Sequence, residues 1–291
     1  MLEQFAADDQ NRIALKLYNG KQTADIFYAE LAERILTAAG WFADNGSTGR
    51  HIALVGANSP EWIVSFFAIA ASGNVVVPLN PGMPEEMLLS QCKQADVSVI
   101  CGDSRDIAVF AEAYPCVSYD MLREGVPMQL QNIACPTPEA LTVLLFTSGT
   151  TGKSKAVEIS YANMESSLKS ADGIFSEPDI NRIMTALPMF HIAGIRGALA
   201  MLCRFKTLCI GRGIMYLFRD MPALMPDYIL LVPMMVDSLI KIMKRTTPSQ
   251  LKEKYIGANL KRVCVGGAAV DPDSCRYLME NGFVIDSGYF N

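Results

Sequence analysis

HIALVGANSPEWIVSFFAIAASGNVVVPL, residues 51–79, reads as strand, helix and strand in succession. His51 to Val55 is a short apolar run. Ser59-Pro60-Glu61 then supplies an N-cap, a proline with its φ already helical, and an acid facing the positive end of the helix dipole. The helix expected from there runs to about Ala71 and breaks at Gly73-Asn74, where the β-branched Val75-Val76-Val77 begins a strand. That is one β-α-β unit. Trp62 to Leu79 is apolar enough to raise the question of a membrane span, but Ser65, Ser72, Gly73 and Asn74 interrupt it and its second half is β-branched. A buried helix followed by a buried strand is the reading adopted, and no transmembrane segment is expected.

The same alternation continues outward. Helices are expected at Met87 to Ala95, Ser160 to Ser170, Pro233 to Arg245 and Asp271 to Asn281. Strands are expected at Val97 to Cys101, Leu141 to Phe146, Tyr228 to Val232, Arg262 to Val265 and Val284 to Asp286. Strands alternating with helices of this length predict an α/β fold, layered, with largely parallel sheets and helices on both faces. Val126 to Glu139, with three prolines and several polar residues between them, is the expected linker. It divides the chain into a first α/β subdomain, 1–135, and a second, 136–291. Lys241 to Lys254 reads as a second polar connection on a solvated surface.

Composition narrows the function classes. The 291 residues are 51% hydrophobic, enough apolar material for one large core or two smaller ones. With 25 basic and 30 acidic residues the net charge is −5, and no basic run exceeds Lys244-Arg245. No nucleic-acid partner is therefore expected, because duplex binding needs clustered cations. Eight cysteines include no C-x-x-C pair, and only two histidines are available to complete a metal set. They read as reduced thiols of a cytoplasmic protein, and Met1 to Asn11 lacks the apolar core of a secretory signal.

The strand Leu141 to Phe146 runs into Thr147-Ser148-Gly149-Thr150-Thr151-Gly152-Lys153-Ser154-Lys155. Glycines let backbone N–H groups converge on an anion, hydroxyls donate to phosphate oxygens, and lysines neutralise charge, so the loop suits polyphosphate. A Ser/Thr-rich surface turn is the plain alternative, but the end of a strand in an α/β pattern is where ligands bind. Gly152-Lys153-Ser154 also reproduces the second half of a Walker A loop. The first glycine of that motif would fall at 147, where threonine stands, which weakens a P-loop kinase or NTPase reading without removing it.

Leu144 to Lys155 resembles the signature of the adenylate-forming superfamily at every position: apolar, two free positions, then T-S-G-T-T-G-x-(P or S)-K. Other stretches are similar to further elements of that superfamily. Phe27-Tyr28-Ala29-Glu30-Leu31 is like its early T-Y-x-E-L, and Ser72 to Pro81 is like its G-x-x-x-V-P-L-x-P. Leu187-Pro188-Met189-Phe190-His191 resembles the L-P-(L or M)-F-H of its acyl-CoA synthetase branch. Gly266-Gly267-Ala268-Ala269-Val270 resembles G-G-A-P-L, and Gly288-Tyr289-Phe290-Asn291 the start of G-Y-G-x-T-E.

The resemblance implies ATP-dependent activation of a carboxylic acid, with a fatty acid expected first and an aryl acid second. Acyl-AMP forms, pyrophosphate leaves, and CoA then takes the acyl group as AMP departs. ATP, Mg2+ and CoA are the implied cofactor and cosubstrates. His191 and Lys155 are the expected catalytic residues. Thr147, Ser148, Gly149, Thr150, Thr151, Gly152 and Lys155 would hold phosphates, Gly267 and Ala268 would line the nucleotide and acyl site, and Tyr289 would stack on adenine. Loading of a carrier protein, or a non-catalytic nucleotide-binding role, are the other implied outcomes. The family pattern continues beyond Asn291 to a Thr-Glu pair, a hinge and a mobile C-terminal domain, so a shortened chain is expected. Ala156, Tyr161 and Phe290 depart from the pattern, and Phe290 is expected to put bulk beside the adenine or acyl pocket and so narrow the substrate range.

Overall fold

The structure, a computed structural model, describes residues 1–8, 11–148, 154–170 and 177–288. Among these, the strands are β1 (Ile13–Tyr18), β2 (Thr23–Phe27), β3 (His51–Val55), β4 (Val75–Leu79), β5 (Val97–Gly102), β6 (Cys116–Ser118) and β7 (Leu141–Ser148). They continue with β8 (Ser154–Ser160), β9 (Arg182–Thr185), β10 (Thr207–Ile210), β11 (Tyr228–Leu231), β12 (Arg262–Gly266) and β13 (Val284–Gly288). The sheets are largely parallel with helices on both faces, and the chain falls into two compact units.

The first unit comprises Met1–Asn11, Tyr28–Ser170 and Met189–His191. Its sheet has the order β6-β5-β3-β4-β7-β8, parallel except for the antiparallel β7–β8 pair. The central β4 is buried at every position, and β3 at all but its first. A parallel strand covered on both faces has no solvent side to accommodate, which explains the unbroken apolar runs. Helix Pro60–Ala71 starts where the sequence predicts, with Ser59 Oγ accepting the Trp62 N–H at 3.1 Å. Beyond it, buried Asn74 donates to Ser47 O at 2.7 Å and accepts from Arg50 N at 3.0 Å, which fixes the turn into β4. Helix Tyr28–Asp44 buries Leu31, Ile35, Ala38 and Phe42, the spacing of one helical face.

Two sequence expectations are corrected here. Val126 to Glu139 is no linker between domains. It is a strap on the first unit, with Met128 N donating to Leu36 O at 2.9 Å and Ala134 N to Ala71 O at 2.8 Å. Nor do the units divide at residue 135, because β7 joins β4 through the pair Val76↔Val143 and so stays in the first sheet, bringing β8 with it.

The second unit comprises Arg12–Phe27, Ala171–Pro188 and Ile192–Asn291. Its sheet has the order β13-β12-β11-β9-β10-β1-β2, with only β1–β2 antiparallel. The N-terminal hairpin therefore belongs to a sheet whose other strands begin at Arg182, through pairs such as Leu15↔Leu208. Lys241 to Lys254, read as a polar connection on a solvated surface, is largely exposed and comprises the end of helix Pro233–Met243, the short helix Pro248–Leu251 and the start of one wider turn.

Gly40 tests how closely the strap is seated. A Cβ added there would overlap the carbonyl oxygen of Val126. Alanine normally stabilises a helix interior relative to glycine, by about 1 kcal/mol. Gly40→Ala is nevertheless expected to lower the unfolding free energy, by about 2 kcal/mol from overpacking, as urea denaturation will show.

Candidate functional site

The signature loop joins a hairpin. β7 and β8 pair in antiparallel register from Leu141↔Ser160 to Thr147↔Lys155 and Ser148↔Ser154. Gly149, Thr150, Thr151 and Gly152, with Lys153, lie outside the described residues, as do Tyr289, Phe290 and Asn291. A Walker A loop leads from a strand into a helix. Here the chain returns as a strand, and helix Tyr161–Lys169 begins only after β8, capped by Ser160. The P-loop reading is thereby removed by topology. Thr147 and Lys155 face each other across the ladder, so their side chains share one face of the hairpin. Both are exposed, and Lys155 has no ion-pair partner among the described residues.

A cavity of about 260 Å³ opens beside this hairpin, lined by Asn80, Gln91, Phe146, Thr147, Ser154 and His191 among others. Asn80 follows β4 and Thr147 lies near the end of β7, so the cavity sits at the carboxyl ends of two adjacent parallel strands, where open α/β sheets bind ligands. Gln91, from helix Glu85–Gln94, is only 5% exposed. Its Nε2 donates to Ser154 Oγ at 3.2 Å and more weakly to Met83 Sδ at 3.8 Å, tying the hairpin's return strand to the helix. His191 is exposed and its ring makes no hydrogen bond among the described residues, so both nitrogens can meet a ligand. The structure thus brings Thr147 and His191 to one cavity, with Lys155 next to it on β8.

A larger cavity, about 650 Å³, lies along the helical flank of the same unit. Four of its charged residues already pair with one another, Arg34 with Glu30 at 2.5 Å and Arg123 with Glu61 at 3.0 Å. The smaller cavity is the better candidate because free polar groups converge there.

Gly267 and Ala268 belong to the second unit and follow β12 at its carboxyl end. Gly267 has a φ of +84°, and an added Cβ would lie 3.3 Å from Val232 Cγ1, so glycine is needed both for the turn and for its approach to the end of β11. Both residues are exposed. Among the described residues no group of three or more His, Cys, Asp or Glu could hold a metal ion. None of the eight cysteines forms a disulfide, and burial pushes Cys92, Cys101 and Cys209 up to about 12, far from a thiolate at neutral pH.

Sequence reading overlooked two residues. Gln91 was findable, since it shares a helical face with buried Leu88 and Cys92 and a lone amide on an apolar face asks for a partner. Asn58 was not, because its partner, the Met189 amide, is 131 residues away.

The chain belongs to the AMP-binding enzyme family, whose pattern matches residues 2–289. It is 28% identical over 197 residues to a 2-succinylbenzoate–CoA ligase of Bacillus cereus, covering 67% of this chain and 39% of that one. It is 27% identical over 188 residues to the indoleacetate–CoA ligase of Aromatoleum aromaticum, covering 59% and 37%. Among solved structures it is similar to the o-succinylbenzoate CoA synthetase (MenE) from Bacillus subtilis, in complex with its acyl-adenylate intermediate. The TM-score there is 0.82 at 22% identity, over 99% of this chain and 58% of that one, a likeness of fold. The chain thus spans under two fifths of the length of these two curated ligases.

Replacing Gln91 with the similarly shaped leucine removes the donor to Ser154. Amide exchange along the start of β8 is expected to quicken about threefold to tenfold, the worth of one net hydrogen bond, while exchange in β3 stays unchanged.

Proposed function

We propose that this chain is the ATP- and acid-holding part of an AMP-forming acid:CoA ligase. The observation that carries the reading is the β7–β8 hairpin, which sets Thr147 opposite Lys155 beside the cavity that His191 lines. In the reaction a carboxylate oxygen attacks the α-phosphorus of ATP. An O–P bond forms to give acyl-AMP, and the bond to the bridging oxygen breaks, so pyrophosphate leaves with the electron pair. The CoA sulfur then attacks the acyl carbon, and AMP departs with its phosphate oxygen.

Charge develops on the leaving pyrophosphate, and catalysis of such a step is mostly positioning and electrostatics. The Lys155 ammonium, with no ion-pair partner among the described residues, neutralises the β- and γ-phosphates. Thr147 and Ser148, with Thr150 and Thr151 of the loop, donate hydrogen bonds to them, and Gly149 and Gly152 let the loop turn. The His191 imidazole donates to the carboxylate and limits its repulsion from the phosphate. Gly267, Ala268 and Tyr289 are assigned to the nucleotide on the family resemblance alone.

MenE is also known in complex with ATP and magnesium ion. Among the described residues no group of three or more His, Cys, Asp or Glu could hold a metal ion by itself, and Mg2+ would enter with ATP, whose phosphates supply part of its ligands. The two curated relatives are named for aryl-bearing acids, 2-succinylbenzoate and indoleacetate. We therefore place an aryl acid ahead of the fatty acid expected from sequence. Among the described residues no helix is long and apolar enough to cross a membrane, and the cytoplasm is the proposed place of action.

Exchange of labelled pyrophosphate into ATP, run on the full natural protein with aryl, fatty and amino acids, tests the reading. Exchange is expected with an aryl acid, and Lys155→Ala should lower it about a hundredfold or more, as loss of one transition-state donor does. Undiminished exchange in that variant would overturn the phosphate assignment. Activity with an amino acid and a carrier protein, but not with CoA, would move the chain to the carrier-loading branch.

A further inference from the structure

Asn58 stands in the connection after β3, directly before the helix cap Ser59. Its Oδ1 accepts the backbone N–H of Met189 at 2.8 Å. The Met189 side chain is itself 1% exposed, so this peptide is held at two points, by the amide and by the buried side chain. Met189–His191 is a three-residue visit to the first unit, since the residues before and after it group with the second. His191 follows two residues later, exposed and without a hydrogen-bond partner among the described residues. Among the described residues nothing bonded to the ring sets its place, and the backbone that carries it is what remains to do so.

Resting on the reading that His191 meets the activated carboxylate, we propose that Asn58 is the positioning residue that holds this imidazole at the cavity. The Asn58 carboxamide acts through the Met189 peptide and touches no reacting atom. Its loss leaves the Met189 N–H without its acceptor and lets the Phe190-His191 segment drift, and a misplacement of about 1 Å can cost two orders of magnitude in rate.

Two variants separate this from a general packing role. Leucine copies the shape of asparagine but accepts nothing, whereas aspartate keeps an acceptor oxygen for Met189. The chain has two histidines, and the other, His51, is anchored by a 2.5 Å contact between its Nδ1 and Ala95 O. Imidazole carbon–proton NMR of the 291-residue chain therefore offers one reporter and one internal control. Asn58→Leu is expected to shift or broaden the His191 resonances and leave those of His51 in place, and Asn58→Asp to restore the original His191 signal. In the full natural protein, Asn58→Leu should lower kcat/KM for the acid about tenfold to a hundredfold, with the KM for ATP within about threefold of the original.

An unmoved His191 signal in Asn58→Leu overturns the proposal. So do equal shifts of both histidines, which would make Asn58 merely structural. Absence of acid-dependent exchange in the unaltered protein instead overturns the functional reading, and the NMR result then decides the role of Asn58 by itself.

Discussion

Everything in the candidate site depends on the two-sided pairing of β7. On one side it is parallel to β4, and on the other it turns back antiparallel to β8. The first pairing brings the carboxyl end of β7 next to that of β4, the edge of an open α/β sheet where ligands bind. The second closes the glycine- and hydroxyl-rich segment into a hairpin, so that Thr147 and Lys155 are cross-strand neighbours. Topology separates this loop from one running into a helix even though the local sequence Gly152-Lys153-Ser154 fits both. The proposed phosphate-holding role rests on two backbone edges held in register by the ladder from Leu141 to Ser148.

The supports of the site are small amides more than charges. Gln91 holds Ser154, Asn58 holds Met189, and Asn74 fixes the turn that starts β4. Each amide both donates and accepts without a net charge, so it can be buried at modest cost provided its partners are met. The charged and imidazole groups, Lys155 and His191, are left exposed and unengaged among the described residues. That division gives fixed geometry to the backbone and leaves electrostatic capacity for the ligand.

How much of this was legible in the sequence follows from where the information resides. The β3–helix–β4 unit was readable because Ser59, Pro60 and Gly73-Asn74 act on their immediate neighbours and because doubly covered strands are apolar throughout. β8 was not, since Ser154–Ser160 is an edge strand whose side chains are half-buried or exposed, and its lysine and glutamate read as loop. Val126 to Glu139 holds no α-helix or strand, only a 3-10 turn at Leu130–Asn132, yet its prolines cannot say whether the segment hangs free or lies against Leu36 and Ala71. β1 and β2 join a sheet whose other strands begin more than 150 residues later, and no local pattern encodes that. For the site, the family signature pointed to the segment after Phe146 and to His191 as candidates, while Asn58 was visible only once the fold had brought it to Met189.

The central claim is that a carboxylate oxygen attacks the α-phosphate of ATP held by this hairpin. Incubating the full natural protein with ATP and an acid labelled with oxygen-18 in its carboxyl group, then weighing the nucleotide product, tests it most directly. Attack at the α-phosphorus, followed by thioester formation, predicts AMP carrying one labelled oxygen. ADP as the product, with the label wholly retained in the acid, would contradict the account.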